Sequence, residues 1–242
     1  MVRLPSAILF DLDDTIISAY GRADLAWSAV LAEFSGALAP LHDSIILAAI
    51  LHSAASFWSD AKRHATWRQK LRGARREIVR EAFAQLAQHG EPVPSDPTQC
   101  AIADRFSDYR NENMCLFPDA HATIDALRTN GVKLALLTNG ASADQRAKIE
   151  RFELAARFHH IQIEGEHGFG KPEPRAYLHA LSILAVEPAE TWIVGDNLEW
   201  EVSAPQRLGI HAIWYDPAGT GLPEGTSARP DRIVRTLSEL LV

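Results

Sequence analysis

Cysteine is scarce: two residues in 242, Cys100 and Cys115, are too few and too far apart for a disulfide framework or a paired thiolate site, so reduced thiols are the simpler reading. Positive charge is short as well. Lys and Arg number 24 against 31 Asp and Glu, and the net charge of −7 argues against a nucleic-acid partner, because backbone binding needs a positive field. Long apolar runs are missing. The longest nearly apolar stretch, 45–58, is interrupted by His52, Ser53 and Ser56 and falls short of a membrane span. No basic segment leads into a signal-like stretch near the start, and 7–10 is far too short to be one, so no membrane partner and a cytoplasmic location are the default expectation. There is no internal repeat or low-complexity tract. Ten histidines are present, yet their spacing gives no metal pattern: His159 and His160 are adjacent and would point to opposite faces of a strand. With 47% hydrophobic residues the chain can bury a sizeable core.

Against these absences stands an opening dense in chemistry. The segment SAILFDLDDT delivers Asp11 and Asp13 at the end of a hydrophobic run. A β-strand alternates its side chains, so these carboxylates share one side while Leu12 faces the other. Like charges that close repel. A divalent cation on oxygen ligands or a proton on one carboxylate would offset the repulsion; a solvated acidic turn is the plainer alternative.

Three further segments end an apolar strand pattern in polar residues: VKLALLTNG (132–140), HHIQIEGEHGFGKPEP (159–174) and TWIVGDN (191–197). Helical patterns follow them, in ADQRAKIERF, PRAYLHALSIL and EVSAPQRLG. Strands alternating with helices predict a parallel sheet, and such sheets bind ligands beyond the carboxyl ends of their strands. Asp11, Asp13, Thr138 and Asp196 all fall at those ends. Taken singly, each has a plainer use. Thr138 could close a strand, Lys171 could be an exposed turn residue between Gly170 and Pro172, and Asp196 could cap a helix beginning near Glu199.

DLDDT, LLTNG, GKPEP and GDNLEWE, in this order, resemble the four motifs of the haloacid dehalogenase (HAD) superfamily. The long helical insertion after the first strand is similar to that of its helical-cap subfamily (subfamily I), phosphatase-like in character. The resemblance covers nearly the whole chain and implies an α/β fold: a Rossmann-like parallel sheet core flanked by helices, with an inserted all-helical cap domain. The core then spans 1–18 and 115–242, and the cap 19–114.

The resemblance also implies a hydrolase that uses magnesium and an aspartyl-phosphate on a small phosphomonoester, such as a sugar phosphate or nucleotide. Asp11 is then the nucleophile, and Asp13 gives a proton to the leaving oxygen and later takes one from water. Thr138 and the Asn139 backbone bind phosphoryl oxygens, and Lys171 places positive charge between nucleophile and phosphoryl group. Asp11, the backbone carbonyl of Asp13 and Asp196 hold Mg2+, with Glu201 in the second acidic position of the fourth motif. Phosphoryl transfer needs those parts: an in-line nucleophile, charge neutralisation and a proton for the leaving alkoxide.

Two positions depart from the family pattern. Asp14 stands where glycine is common and reads as structural; Glu201 stands where Asp is usual, which leaves open whether it reaches the ion directly or through water. Trp200 is large for a metal-site loop and suits a core or cap contact better.

From about 21 to 114 the chain reads as helices: LAWSAVLAEF, SIILAAILHSAASF, WRQKLRGARREIVREAFAQLA and CAIADRFSDYR, with EPVPSDP (91–97) breaking the insert before its last helix. The basic run from Lys62 to Arg80 reads mainly as a solvated helix face. The cap residues expected to meet substrate are Trp58, Arg63, His64 and Trp67, although tryptophan serves cores more often than ligands. A phosphomutase would keep every core residue, a 2-haloacid dehalogenase would need no acid such as Asp13, a phosphonate-cleaving relative would need an activated cap lysine, and a non-catalytic binding module would have no use for four motifs. A monomer or homodimer is expected.

Overall fold

The computed structural model describes residues 4–19 and 22–242. Tyr20 and Gly21, where the helical insertion is read to begin, lie outside the described residues. The chain forms two compact units, Met1–Ser18 with Cys115–Val242, and Ala19–Met114.

The first unit is built on a parallel six-stranded sheet. Its strands are β1 (Ala7–Phe10), β4 (Lys133–Thr138), β5 (His160–Ile163), β6 (Thr191–Gly195), β7 (His211–Tyr215) and β8 (Arg232–Val234), in the order β5-β4-β1-β6-β7-β8. A separate pair, β2 (Ile17–Ser18) and β3 (Cys115–Leu116), runs antiparallel. All four residues of β1 are fully buried, because a central strand of a sheet covered on both faces is apolar throughout instead of alternating. Ala7, Leu9, Ala135, Leu137 and Ile193 point to one face and pack with Tyr177, Ala180, Leu181 and Leu184 of a helix, Pro174–Leu184. Ile8, Phe10, Leu134 and Leu136 fill the other, where Phe10 meets Phe158 edge-on. This is the α/β parallel sheet expected of the sequence.

In chain order the helices are α1 (Ala23–Glu33), α2 (Ser35–Leu38), α3 (Asp43–Ser59), α4 (Ala61–Trp67), α5 (Leu71–Gln88), α6 (Asp96–Glu112), α7 (Ala120–Thr129), α8 (Ser142–Arg151), α9 (Glu164–His167), α10 (Pro174–Leu184) and α11 (Ala204–Gln206). EVSAPQRLG is not one regular helix. A π-helical turn, Leu198–Ser203, precedes the short α11, and Asn197 accepts from the amides of Glu199 and Trp200 at 3.0 Å. The cap expected of Asp196 is therefore made by its neighbour.

The second unit, α1 to α6, contains no strand among its described residues. Its core joins Trp27, Val30, Ile46, Ile50, Phe57, Ile78, Phe83, Ile102 and Phe106, with Trp27 stacked on Phe106. The basic face of α5 meets acids of α6: Arg72 and Arg76 pair with Asp104, and Arg80 pairs with Asp96. Pro97 lies in the first turn of α6, where its missing N–H costs nothing. Among the described residues no single helix is long and apolar enough to cross a membrane.

Candidate active site

Sheet order decides where a ligand can sit. From β1 the sheet grows through β4 and β5 to one side and through β6, β7 and β8 to the other. Strand order reverses there, so the connections leave in opposite directions and a crevice opens beyond the ends of β1, β4 and β6. Asp11 and Asp13 follow β1, Thr138 closes β4, and Asp196 follows β6. Lys171 arrives from the loop between α9 and α10.

Asp11 is buried and held on both oxygens: Lys171 Nζ donates to Oδ1 at 2.5 Å, and Thr15 Oγ1 donates to Oδ2 at 3.0 Å. Lys171, itself 1% exposed, also pairs with Glu201 Oε1 at 2.7 Å. Burial opposes charge on this lysine, but the carboxylates of Asp11 and Glu201 outweigh it and hold the ammonium well above the ordinary lysine range. Glu201 is fully buried, and its second oxygen accepts from the Asn197 amide at 3.0 Å. Burial first, then the charge of Asp11, pushes the Glu201 carboxyl upward against the pull of Lys171. Both Glu201 oxygens are thus engaged within the protein.

Asp13 has a different set of partners. Lys148 of α8 donates to both its oxygens at 2.8 Å, and Gln145 Nε2 reaches Oδ2 at 3.0 Å. The same Gln145 nitrogen lies 2.6 Å from Thr138 Oγ1 and 2.7 Å from the Asn139 carbonyl, tying the ends of β1 and β4 together. Asn139 in turn exchanges two hydrogen bonds with the backbone of Lys171: its Nδ2 donates to the carbonyl at 2.6 Å, and its Oδ1 accepts from the amide at 2.9 Å. Asp14 takes the left-handed conformation, φ 61°, which short polar residues tolerate better than most.

Close approach requires two glycines. A Cβ on Gly170 would stand 2.5 Å from Asn139 Oδ1, and one on Gly195 would stand 2.2 Å from Glu201 Cγ and 3.0 Å from Asp11 Cβ. The side chains of the site are packed against bare backbone.

Asp196 is exposed at the mouth of the crevice, and Trp214 Nε1 donates to its carbonyl at 2.7 Å. The low-dielectric walls and the charges of Asp11, Glu201 and Asp14 push its carboxyl upward. Five carboxylates, Asp11, Asp13, Asp14, Asp196 and Glu201, gather around two ammonium groups, Lys148 and Lys171. Oxygen donors with excess negative charge fit a hard divalent cation such as Mg2+.

Thr15, Gln145 and Lys148 belong to the site although sequence reasoning did not single them out. Thr15 at least lies inside DLDDT. Trp58, Arg63, His64 and Trp67 lie in the other unit, at the corner of α3 and α4. Trp58 and Trp67 pack against its core, Trp67 lies over Gly73, and Arg63 Nη1 donates to both oxygens of Glu81 at 2.7 and 2.9 Å. Trp58 meets His64 edge-on at 5.8 Å.

Comparison with known proteins bears on the family and the fold. The family described as haloacid dehalogenase-like hydrolase matches residues 5–209. The chain is 41% identical to phosphoserine phosphatase of Thermus thermophilus over 52% of its own length and 50% of that protein's, so it spans about half of that relative. It is 26% identical to ribulose-1,5-bisphosphate 5-phosphatase of Halopiger xanaduensis over 98% of each. Among solved structures, a magnesium-bound HAD-hydrolase, YfnB of Bacillus subtilis, shares the fold at TM-score 0.72 and 22% identity, covering 98% of this chain and 97% of that one. Solved dehalogenases share the fold as well.

Proposed function

The chain belongs to the haloacid dehalogenase-like hydrolases, and from that membership we propose that it is a magnesium-dependent phosphatase acting on a small phosphomonoester through an aspartyl-phosphate on Asp11. One observation carries the reading: the two carboxylates leaving β1 have separate partners, Lys171 and Thr15 for Asp11, Lys148 and Gln145 for Asp13. Carboxylates set in different environments can take different roles.

In the first step an Asp11 oxygen attacks phosphorus and the ester P–O bond breaks. Asp13 is the group that hands a proton to the departing alkoxide, which requires one of its two oxygens to give up Lys148 and carry that proton. In the second, water attacks the same phosphorus, Asp13 takes the water's proton, and the bond to Asp11 breaks to release phosphate. Lys171 aims Asp11 and offsets charge on the phosphoryl oxygens, while the Thr138 hydroxyl and the Asn139 amide offer donors to them. Asp11, the Asp13 carbonyl and Asp196 would hold Mg2+, which supplies charge neutralisation to the phosphoryl group when bound. Glu201, with both oxygens engaged, serves by holding Lys171. Residues 19–114 would act as the cap that selects the leaving group, with Trp58, Arg63, His64 and Trp67 as its candidate contacts.

Dehalogenation on the same scaffold attacks carbon and expels a halide that needs no proton, which leaves Asp13 without work. The test is a panel of phosphate monoesters assayed with Mg2+ and with EDTA, beside a 2-haloacid. Phosphate release that needs Mg2+ is the expected result. Full activity in EDTA, or halide release in place of phosphate release, would overturn the reading.

A further inference from the structure

The edge strand of the core sheet carries a second constellation that the catalytic reading does not use. His160 opens β5 beside Ala135, three residues short of the level at which Thr138 pairs with Ile163. His167 ends α9, and His179 lies midway along α10. Their ring centroids are 5.2 to 6.2 Å apart, and one nitrogen from each lies within 4.8 Å of the other two. Histidine spacing along the chain shows no metal pattern because these three come from a strand and two helices, at spacings that match no local motif.

Hydrogen bonds settle which nitrogen each ring offers. His167 Nδ1 lies 3.1 Å from the carbonyl of Ile163, which can only accept, so Nδ1 bears the proton and Nε2 the lone pair. His179 Nδ1 lies 2.8 Å from Gln162 Oε1. The Gln162 amide cannot turn round, since its Nε2 donates to the Ala176 carbonyl at 2.8 Å; His179 therefore also keeps its proton on Nδ1. His160 Nε2 is buried with no hydrogen-bond partner. Burial first, and then the neighbouring imidazoles of His179 and His167, hold His160 below the usual histidine range against the pull of Gln162. An orphaned buried nitrogen beside two imidazoles whose far sides are fixed by carbonyl oxygens is the outer-sphere pattern of metal-binding histidine.

We propose that His160, His167 and His179 bind a borderline transition-metal ion of the Zn2+ class, at a site separate from the oxygen-lined crevice. Three imidazole ligands suit Zn2+, Co2+, Ni2+ or Cu2+ and give Mg2+ nothing it prefers. Zinc–nitrogen bonds of ~2.1 Å set tetrahedral donors ~3.4 Å apart, so nitrogens lying within 4.8 Å of one another must tighten by up to ~1.4 Å, which rotation of the half-buried rings would have to supply. Phe169 walls the site, 5.6 Å from His167 and 5.5 Å from His179, and Arg175 covers that ring at 4.3 Å. His167 precedes Lys171 by four residues, so a bound ion would pin the start of the loop that carries the lysine.

The test uses the full chain without an affinity tag, stripped with chelator and returned to saturating Mg2+. Dialysis against Zn2+ should load one ion per chain, and thermal unfolding should rise with Zn2+ concentration as binding to the native state requires. His179→Gln and His160→Gln should each weaken Zn2+ binding by about tenfold or more, with unfolding in chelator showing that they remain folded. On the unmodified chain Cu2+ should give an electron paramagnetic resonance spectrum split by imidazole nitrogens. Uptake of no ion by the unmodified chain, undiminished binding in both folded single variants, or a copper spectrum without nitrogen splitting would overturn the proposal.

Discussion

Lys148 places a single ammonium 2.8 Å from each carboxylate oxygen of Asp13, across 135 positions of chain. The lysine fixes the rotamer of the group proposed to move the proton, so Lys148→Met should reduce kcat on an alkyl phosphate by about ten- to a hundredfold, part of the roughly 10²–10⁴ that a positioned acid or base contributes. On the phosphate ester of an acidic phenol, whose leaving group departs unaided, the loss should be several-fold smaller. First-turnover rates on the two esters check this; equal losses would assign Lys148 to substrate binding or packing instead.

Lys171→Met leaves Asp11 and Glu201 facing each other in a buried place. Removing one partner of a buried ion pair costs about 3–5 kcal/mol, and a loss of that size is expected at pH 8. The pH dependence has a definite sign. The Glu201 carboxyl is raised above its ordinary 4.5 despite the pull of Lys171, and without the lysine it rises further. A carboxyl raised in the folded state contributes stability that is fully present below its unfolded value and is lost as pH climbs through the folded one. Urea midpoints of the variant should therefore recover relative to the parent between pH 8 and pH 5. Parallel curves would show that Glu201 does not titrate in that window.

Gly195→Ala drives a methyl group against Glu201 and Asp11. Overpacking of this kind costs about 1–3 kcal/mol or more, and both the unfolding midpoint and turnover should fall. Gly36 is the control: a Cβ there meets nothing within 4 Å, so Gly36→Ala should be neutral or stabilising. If both variants unfold like the parent, the contact at Gly195 is not tight.

Asp196→Asn removes the exposed carboxylate at the crevice mouth. The Mg2+ concentration for half-maximal activity should rise by about tenfold or more, with the unfolding midpoint in chelator unchanged or higher because a crowded negative charge has gone. A magnesium titration of activity that coincides with the parent's would remove Asp196 from the ion's ligands.

What could be read from the sequence was what lies close along the chain. The sheet was legible because β1, β4 and β6 are near-continuous apolar runs, each ending in polar residues. Asp11, Asp13, Thr138, Lys171 and Asp196 stood out because each sits within a few residues of its strand end or loop glycine. Gln145 and Lys148 could not be seen, since on the helix ADQRAKIERF they look like any exposed polar residue until folding brings Asp13 to them. Glu201 was visible as an acid but not as the partner of Lys171, because its reach depends on the π-helical turn where a regular helix was expected. The basic run of α5 was legible as a charged face; its acidic partners on α6 lie beyond the turn and had no local signature.

The pair Ile17↔Leu116 and Ser18↔Cys115 has a consequence for how this chain can change over time. The chain leaves the sheet-bearing unit and returns to it on two strands that are hydrogen-bonded to each other, about 5 Å apart. Residues 19–114 therefore leave and rejoin the sheet-bearing unit through ends one strand apart, an attachment that another segment with adjacent ends could also make. Duplicated genes could diverge by replacing that segment wholesale while the residues around Asp11 stay as they are. The reverse holds at Gly170 and Gly195, where each step depends on a particular neighbour. One locus is built for exchange and the other for permanence, and both are set by how near two stretches of backbone are brought.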